Sequence, residues 1–324
     1  MQSIEQYRDA FDAYLEKNVQ IREPRNLYEP MVYILNLGGK RIRPVLVLMA
    51  ADIFGGDYKK ALDAALAIEI FHNFSLVHDD IMDDAPLRRG EKTVHERWDI
   101  NTGILSGDAM LINAYRLFEN YDAETFRELA KLFSRTAIEV CEGQQYDIDF
   151  ETSERVSVAD YLQMIEYKTA VLVGASLQMG AIVAQTSEEN QKKIYDFGLL
   201  LGMAFQLQDD YLDAFGNPKT FGKQVGGDII ENKKTFLFLK ALEKLKAKEA
   251  TQLEHLYSID PSDLDAKVET VKSLFESSGA AADTKLKIED YTEKAFEVLD
   301  SIEMNREEKE VLRKFGEELM DREV

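Results

Sequence analysis

The side chains best suited to chemistry are two groups of aspartates. His78 to Asp84 reads HDDIMDD and Gln208 to Asp213 reads QDDYLD. Counted from its first Asp, each group carries Asp at positions one, two and five: Asp79, Asp80 and Asp83 in the first group, and Asp209, Asp210 and Asp213 in the second. On a helix the first and fifth positions lie about 40° apart, on one face. Carboxylates held this close repel each other. The spacing therefore predicts a divalent cation between them, and oxygen-only ligands favour Mg²⁺, which keeps several waters and bridges to substrate phosphates.

An ordinary solvated helix end is the alternative explanation for either aspartate group taken alone. Two groups with the same spacing, each following an apolar helical run, make this alternative weaker. Acids at the C-terminal end of a helix also oppose its dipole, and this unfavourable placement suggests a functional reason.

Short groups of basic residues could complete a site for an anion. Lys40 and Arg43, three residues apart after a glycine pair, can share a helix face. A lysine inside an apolar helix, such as Lys168, must either reach the surface or face a partner. The further basic candidates are Arg88, Arg89, Lys223 and Lys233. Each group alone could be a charged helix start or a solvated loop, whereas their combination with two aspartate groups favours a site.

The elements that must position these residues are predicted to be helices. Apolar residues recur at three and four positions in residues 61–82, 160–185 and 192–215, and strand-like alternation is nearly absent. This pattern predicts an all-α protein with about ten or more helices. The second and third stretches are apolar almost all round, so they belong in the middle of a bundle. The polar tail from about residue 240 reads as outer helices.

Composition excludes several function classes. The chain has 324 residues with 39 Lys+Arg and 60 Asp+Glu, a net charge of −21. This charge argues against binding nucleic acid or anionic lipid. The longest uncharged run, Thr169 to Ser187, is predicted to be a buried core helix rather than a membrane span. The single cysteine, Cys141, fits a reducing compartment and is expected in the core, so we expect a cytoplasmic protein without membrane insertion.

Taken in order, these segments resemble the trans-isoprenyl diphosphate synthase family, the polyprenyl synthetases. A lone DDxxD is a weak signal, but two of them in order with GGKxxRP, RRG and KT are highly specific. The matching segments are GGKRIRP (38–44), FHNFSLVHDDIMDDAPLRRG (71–90), SGDAMLINA (106–114), EGQQYD (142–147), YLQMIEYKTAVL (161–172), FQLQDDYLDAFG (205–216) and GKQVGGDIIENKKT (222–235). With no long linker, we expect one domain over residues 1–324. The resemblance implies an isoprenoid-synthase-type helical bundle around a deep central cavity, with the aspartate groups facing each other across its mouth.

The resemblance also implies a reaction: head-to-tail condensation of isopentenyl diphosphate with an allylic diphosphate, in a homodimer, to give a C20 or C15 trans-prenyl diphosphate. Three Mg²⁺ ions, for which Mn²⁺ can substitute, would bind Asp79, Asp83 and Asp209, supported by Asp80, Asp210 and Asp213. Arg88, Lys168 and Lys223 would hold the allylic diphosphate, and Lys40, Arg43, His72 and Arg89 would hold isopentenyl diphosphate. Thr169 and Gln206 would stabilise the carbocation, and Lys233 would help to close the mouth.

The product length is expected to depend on the residues below the first aspartate group. Phe74 lies five residues before Asp79, about 7.5 Å lower on a helix, and Ser75 lies four before it. Aromatic residues at these positions limit product length in the family, so the resemblance is to a short-chain synthase. An ideal helix places Ser75 beneath Asp79 but Phe74 about 140° away, so a plain core role for Phe74 stays open.

Three other functions remain as alternatives. The doublet His78-Asp79 would fit an HD-type metal phosphohydrolase, but that site needs further histidines and the chain has only 4. A terpene cyclase is disfavoured because QDDYLD stands where an Asn/Ser/Glu metal motif would be expected. A non-catalytic subunit should have lost its carboxylates or arginines, and this chain retains them.

Overall fold

The helical prediction is confirmed. A computed structural model describes residues 1–153, 155–217, 225–259 and 261–321. Helices make up 79% of the structure, and the two described strands, β1 (Leu87–Arg88) and β2 (Glu91–Lys92), are two residues long each. The chain divides into two compact units, residues 1–135 with 175–195, and residues 136–174 with 196–324.

The first unit is built around two helices that are apolar on nearly every face. Its helices are α1 (Ile4–Asn18), α2 (Arg25–Asn36), α3 (Ile42–Ile53), α4 (Leu62–Met82), α5 (Val94–Arg97), α6 (Ile100–Leu117), the start of α7 (Ala123–Thr152), most of α9 (Val171–Val183) and the start of α10 (Glu188–Phe215), with 3-10 turns at Tyr58–Ala61 and Phe118–Asn120. Helix α3 is buried from Pro44 to Ala51. Helix α4 is buried from Ala64 to Phe71 and ends in the first aspartate group. The core of this unit therefore fixes the position of that group.

The second unit holds the other aspartate group on a 28-residue helix. Its helices are the rest of α7, α8 (Val158–Ile165), a π-helical turn (Glu166–Ala170), the start of α9 (Val171–Val183), most of α10 (Glu188–Phe215), α11 (Gly227–Ile230), α12 (Phe236–Lys244), α13 (Ala247–Leu256), α14 (Leu264–Ser278), α15 (Ala280–Ser301) and α16 (Arg306–Met320). Met203 and Leu207 of α10 belong to one apolar cluster with Phe236 of α12 and Phe275 of α14.

One expectation about burial was wrong. Cys141 is exposed, because it lies on the outer face of α7 and not on its apolar face. Residues Phe236 to Leu239, which directly precede the polar tail, are buried. The uncharged run around α9 is buried as predicted. None of the helices in the described parts of the chain combines the length and hydropathy that a membrane crossing requires.

Candidate active site

The first aspartate group separates into surface and buried carboxylates. The Asp83 N–H donates to the Asp79 carbonyl at 2.8 Å, so helical geometry continues to Asp83 and the two residues share a face. Asp83 is exposed and Asp79 is half-buried. Asp80 is 0% exposed. Asp79 and Asp83 therefore reach solvent, as does the neighbouring Asp84, whereas Asp80 does not.

The buried Asp80 binds Arg88. The Arg88 Nε donates to both carboxylate oxygens at 2.8 and 2.9 Å, and Nη2 lies 2.6 Å from Oδ1. Arg88 is held in place by the β1–β2 hairpin, whose two-residue turn, Arg89-Gly90, has φ values of 55° and 81°. Positive φ at both turn positions is the pattern of a type I′ turn. The hairpin thus directs Arg88 towards α4 and leaves Arg89 at the turn.

The glycine turn before α3 lies against Arg89. The Arg89 Nη1 donates to the Gly38 carbonyl. A Cβ at position 39 would lie 2.9 Å from Arg89 Nη2, and Gly39 has a φ of 130°. The backbone conformation therefore requires glycine at this position, whereas the tip of the Arg89 side chain could move aside.

Arg41 stabilises the same turn through buried contacts. The sequence did not predict this role. Arg41 is 7% exposed and adopts the left-handed conformation with a φ of 52°. Its guanidinium donates to Glu69 at 2.5 Å, to Asp12 at 3.3 Å and to the Leu35 carbonyl at 2.6 Å. A buried Arg with these acceptors fixes the turn that carries the exposed Lys40.

His72 and Arg43 lie together in the same basic region. The Arg43 Nη1 is 3.4 Å from His72 Nε2. Burial, followed by the positive charges of Arg43, Arg89, Arg88 and Arg41, lowers the pKa of His72 well below its ordinary value. His72 is therefore neutral at pH 7, and the positive charge of this region comes from the arginines and Lys40.

The aromatic residues before the first aspartate group form one cluster. Phe74 is 9% exposed, and its ring centroid lies 5.5 Å from that of Phe71 and 4.8 Å from that of His78. A Cβ at Gly107 would lie 2.2 Å from His78 Nε2, so this face of α4 packs on α6. Ser75 donates to the His72 carbonyl at 2.9 Å. Phe74 therefore belongs to the face of α4 that packs on α6. Ser75, the next residue along the helix, points in a different direction.

The second aspartate group divides in the same way as the first. Asp209 and Asp213 are half-buried, whereas Asp210 is 7% exposed. The Asp213 carboxylate accepts the Asp228 N–H at 2.9 Å and so holds the start of α11. Lys233, which follows α11, lies 2.8 Å from Glu231 and 4.0 Å from Asp228.

Asp210 is the centre of a hydrogen-bond chain. It accepts from the Tyr161 hydroxyl through Oδ2 and from Gln206 Nε2 through Oδ1 at 2.9 Å. The Gln206 Oε1 in turn accepts from the Thr169 hydroxyl at 3.0 Å. Burial and then the charge of Asp228 raise the pKa of Asp210, while the bonds from Tyr161 and Gln206 act in the opposite direction. The chain thus brings together two predicted cation-stabilising residues and Tyr161, which the sequence did not single out.

Lys168 lies in the π-helical turn and faces α7. Its Nζ donates to Asp147 at 2.5 Å. The turn is closed by a bond from the Val171 N–H to the Glu166 carbonyl, five residues back. A Cβ at Gly143 of α7 would lie 2.3 Å from the Lys168 backbone nitrogen. Gly143 therefore allows the two backbones to touch, and π turns of this kind are frequent at functional sites.

The donor atoms fit a hard divalent cation. Asp79, Asp83, Asp209 and Asp213 present carboxylate oxygens, which Mg²⁺ prefers. Within the described residues, no three carboxylate, histidine or cysteine side chains converge into a ready metal cage. A cation bound by one or two carboxylates, with the remaining positions filled by water and phosphate oxygens, matches this donor set. The predicted diphosphate ligand Lys223 lies outside the described residues.

A family model described as polyprenyl synthetase matches residues 24–275. Members of this family use a divalent metal. The phosphohydrolase, cyclase and non-catalytic alternatives are not favoured by this match.

Two curated relatives and one solved structure illustrate the similarity. A geranylgeranyl pyrophosphate synthase of Geoglobus acetivorans is 42% identical over 233 residues, 71% of this chain and 72% of that protein. A geranylfarnesyl diphosphate synthase of Natronomonas pharaonis is 36% identical over 296 residues, 86% of this chain and 85% of that protein. A crystal structure of a geranylgeranyl pyrophosphate synthase superposes with a TM-score of 0.96 at 54% identity, covering 100% of both chains.

Proposed function

The chain belongs to the polyprenyl synthetase family, and from that premise we propose which of its residues carry out the reaction. It is a trans-prenyltransferase that makes short-chain prenyl diphosphates. In the reaction, the C–O bond of the allylic diphosphate breaks and diphosphate leaves with the electron pair. The double bond of isopentenyl diphosphate then forms a new C–C bond to the allylic carbon, which leaves a cationic carbon in the isopentenyl unit. The carbon next to that cationic centre loses a proton, and a new double bond forms.

The observation that carries the proposal is the shared division of the two aspartate groups. In both, the second Asp is buried and bound by donors from the protein, while the first and fifth reach solvent. We propose that Asp79, Asp83 and Asp209 bind Mg²⁺, three ions in all, with Mn²⁺ able to substitute. When bound, the metal neutralises the leaving diphosphate and so assists breakage of the C–O bond.

Three cations are proposed to hold the allylic diphosphate: Arg88, Lys168 and Lys223. Two of them already have a carboxylate partner that fixes their position, Asp80 for Arg88 and Asp147 for Lys168. Prepositioned cations lose less conformational entropy when the substrate binds. The paired cations therefore favour binding in one orientation.

Lys40, Arg43, His72 and Arg89 are proposed to bind isopentenyl diphosphate. The neutral His72 can offer or accept a hydrogen bond without adding charge, while the arginines can form paired hydrogen bonds to phosphate oxygens. The turn that carries Lys40 is held by Arg41 and Glu69, so the site is supported by a buried ion pair.

The carbocation is proposed to be stabilised by the oxygen atoms of Thr169 and Gln206. The leaving diphosphate accepts the proton, so the protein needs no separate base. Lys233 is proposed to help close the site, and closure must exclude water, which would otherwise react with the cation.

Of the two expected products, C20 and C15, we propose C20, because a relative named for a geranylgeranyl product matches this chain; a relative named for a geranylfarnesyl product makes C25 the alternative. We further propose that residues 1–324 act as one domain in the cytoplasm, as a homodimer. Helix α6 supports the homodimer, since Ile104, Leu105 and Ile112 are 41%, 60% and 59% exposed, on the side away from α4.

Product analysis tests the proposed function. Purified protein is incubated with isopentenyl diphosphate, Mg²⁺ and each of the C5, C10 and C15 allylic primers, and the products are sized by mass spectrometry. We expect a discrete C20 product, its loss on chelation with EDTA and its return with added Mg²⁺. The absence of elongation with every primer in folded, metal-loaded protein would contradict the proposal.

A further inference from the structure

We propose that Tyr161, acting through Asp210, sets the direction of a hydrogen-bond chain that turns the oxygen lone pairs of Thr169 towards the allylic carbon. Tyr161 is thereby a positioning residue for the ionisation step. The inference rests on the proposed function of Thr169 and extends it to a side chain on another helix, α8.

The direction of the chain follows from its donors and acceptors. The Tyr161 hydroxyl and Gln206 Nε2 both donate to Asp210, one to each carboxylate oxygen. Because its amide nitrogen faces Asp210, Gln206 presents its oxygen to Thr169, which donates its only hydroxyl proton. The Thr169 oxygen therefore has its proton directed at Gln206 and its lone pairs directed elsewhere.

Burial makes this arrangement hard to reverse. Tyr161 is 2% exposed and Asp210 is 7% exposed, so solvent cannot replace a missing donor to the carboxylate. An acceptor with two protein donors is satisfied only while both point towards it. Rotating the Gln206 amide would place two acceptors face to face at Asp210, and this is unfavourable as long as Asp210 accepts through both oxygens.

The direction matters because the reacting centre becomes positively charged. Oxygen lone pairs facing a developing carbocation stabilise it, whereas a hydroxyl proton facing it repels it. A fixed dipole needs no reorientation during the reaction, so Tyr161 and Asp210 contribute by holding Thr169 ready before the C–O bond breaks.

The first test is Tyr161→Phe, which removes the hydroxyl and keeps the ring. We expect kcat to fall about ten-fold, as for loss of one buried hydrogen bond to a charged group, with KM for isopentenyl diphosphate nearly unchanged. Tyr7→Phe is the matched control, because Tyr7 is 0% exposed and donates to Asp52 in the first unit. It should lose comparable thermal stability and keep its kcat. A kcat for Tyr161→Phe equal to that of the wild type would overturn the inference.

The second test exchanges carboxylate and amide. In Asp210→Asn the new NH₂ faces Gln206, the Gln206 amide must turn, and Thr169 then directs its proton towards the cation. We expect a loss in kcat of about 100-fold, larger than that of Tyr161→Phe. In the double variant Gln206→Glu with Asp210→Asn, the new carboxylate at position 206 accepts a hydrogen bond from the amide at position 210. The same carboxylate also accepts the Thr169 hydroxyl proton again. This variant should recover most of the loss, and a double variant no more active than Asp210→Asn would overturn the inference.

Magnesium titration separates positioning from metal binding. If Asp210 acts through Gln206, Asp210→Asn leaves the Mg²⁺ concentration for half-maximal activity unchanged. A large increase in that concentration would assign Asp210 to the metal and overturn the inference. Failure of the proposed function is distinguishable, because then wild-type protein would make no prenyl product with any primer.

Discussion

At the scale of residues, the two aspartate groups use their second carboxylate for the same purpose. Asp80 fixes Arg88, and Asp210 fixes Gln206 and, through it, Thr169. In both cases a buried acid orients a polar side chain that is proposed to contact substrate. Each DDxxD group therefore combines two kinds of carboxylate. The accessible ones are suited to binding metal, and the buried one is suited to positioning a polar side chain.

Phe74 is predicted to limit the product length. In Phe74→Ala the ring that contacts Phe71 and His78 is removed, so the hydrocarbon chain gains space and we expect products longer than the wild type's. Mass spectrometry of the extracted prenyl diphosphates measures the shift.

Phe118→Ala is the matched control for this prediction. Phe118 belongs to the same aromatic region through Phe133 and Tyr115, but it makes no ring contact with Phe74. Its loss should destabilise the protein, by about 3–5 kcal/mol if the cavity persists, without changing the product. An unchanged product distribution for folded Phe74→Ala would leave Phe74 a plain core residue.

His72 is predicted to make folding stability depend on pH. Its pKa in the folded protein lies well below the ordinary 6.5. Between these two values the unfolded chain binds a proton that the folded protein does not, so stability falls as pH decreases below about 6.5. The slope from this group is at most about 1.4 kcal/mol per pH unit.

Urea unfolding between pH 7 and pH 5 measures this slope. His72→Gln should show a smaller decrease than the wild type, because the neutral amide has no proton to gain. His255→Gln, at an exposed position, should keep the wild-type slope. Equal slopes for wild type and His72→Gln would show that other groups cause the pH dependence.

At the scale of elements, Gly143 is predicted to control how close α7 comes to the π turn. In Gly143→Ala the new Cβ would collide with backbone atoms, the Lys168 nitrogen at 2.3 Å and Cα at 2.7 Å. Backbone cannot move as a side-chain tip can, so we expect a loss of stability of at least about 1–3 kcal/mol and a marked loss of activity.

Thermal unfolding and steady-state kinetics of this variant are compared with Gly103→Ala. The Cβ at position 103 would meet the flexible end of Ile81 at 2.8 Å, which can move aside at low cost. Gly103→Ala should therefore remain close to the wild type. Similar behaviour of the two variants would mean that the α7 contact does not position Lys168.

The sequence predicts the helices and most of the surface side chains of the site, because helical periodicity and the DDxxD spacing are local properties. It does not predict Arg41 and Glu69 as partners, since their ion pair joins residues 28 positions apart. Asp210 was predicted as a supporting aspartate, but its contact with Tyr161, 49 positions away, was missed for the same reason. The π turn was also missed, because an apolar stretch has the same composition whether its backbone hydrogen bonds span four or five residues.

At the scale of the whole molecule, the strongly negative charge coexists with locally basic regions. The net charge is −21, yet Lys40, Arg43, Arg88 and Arg89 lie in or next to the glycine turn and the hairpin. A general attraction for anions is therefore excluded, and binding depends on local geometry and on added metal ions. Removing the metal ions would therefore change the electrostatic potential of the whole site.

The homodimer gives a prediction at the same scale. The wild type should sediment at twice the 37.0 kDa of the chain. Leu105→Glu combined with Ile112→Glu places two charges on the exposed apolar face of α6 and should yield a 37.0 kDa species.

Leu286→Glu is the control for assembly, because Leu286 is 62% exposed on α15 in the second unit. It should keep the mass of the wild type in sedimentation equilibrium. A wild-type protein that sediments at 37.0 kDa, or a double α6 variant that keeps the wild-type mass, would exclude α6 as the interface.

The π turn at Glu166–Ala170 has a consequence for how this chain can change over generations. Loss of a single codon, that of Tyr167, would let the bond from Val171 close over four residues, and α8 would continue into α9 as an ordinary α-helix. The flanking helices would keep their register and the protein would fold. Lys168, however, would no longer project from the bulge towards Asp147, so a deletion that leaves fold, charge and hydropathy almost unaltered could separate a stable descendant from a catalytic one.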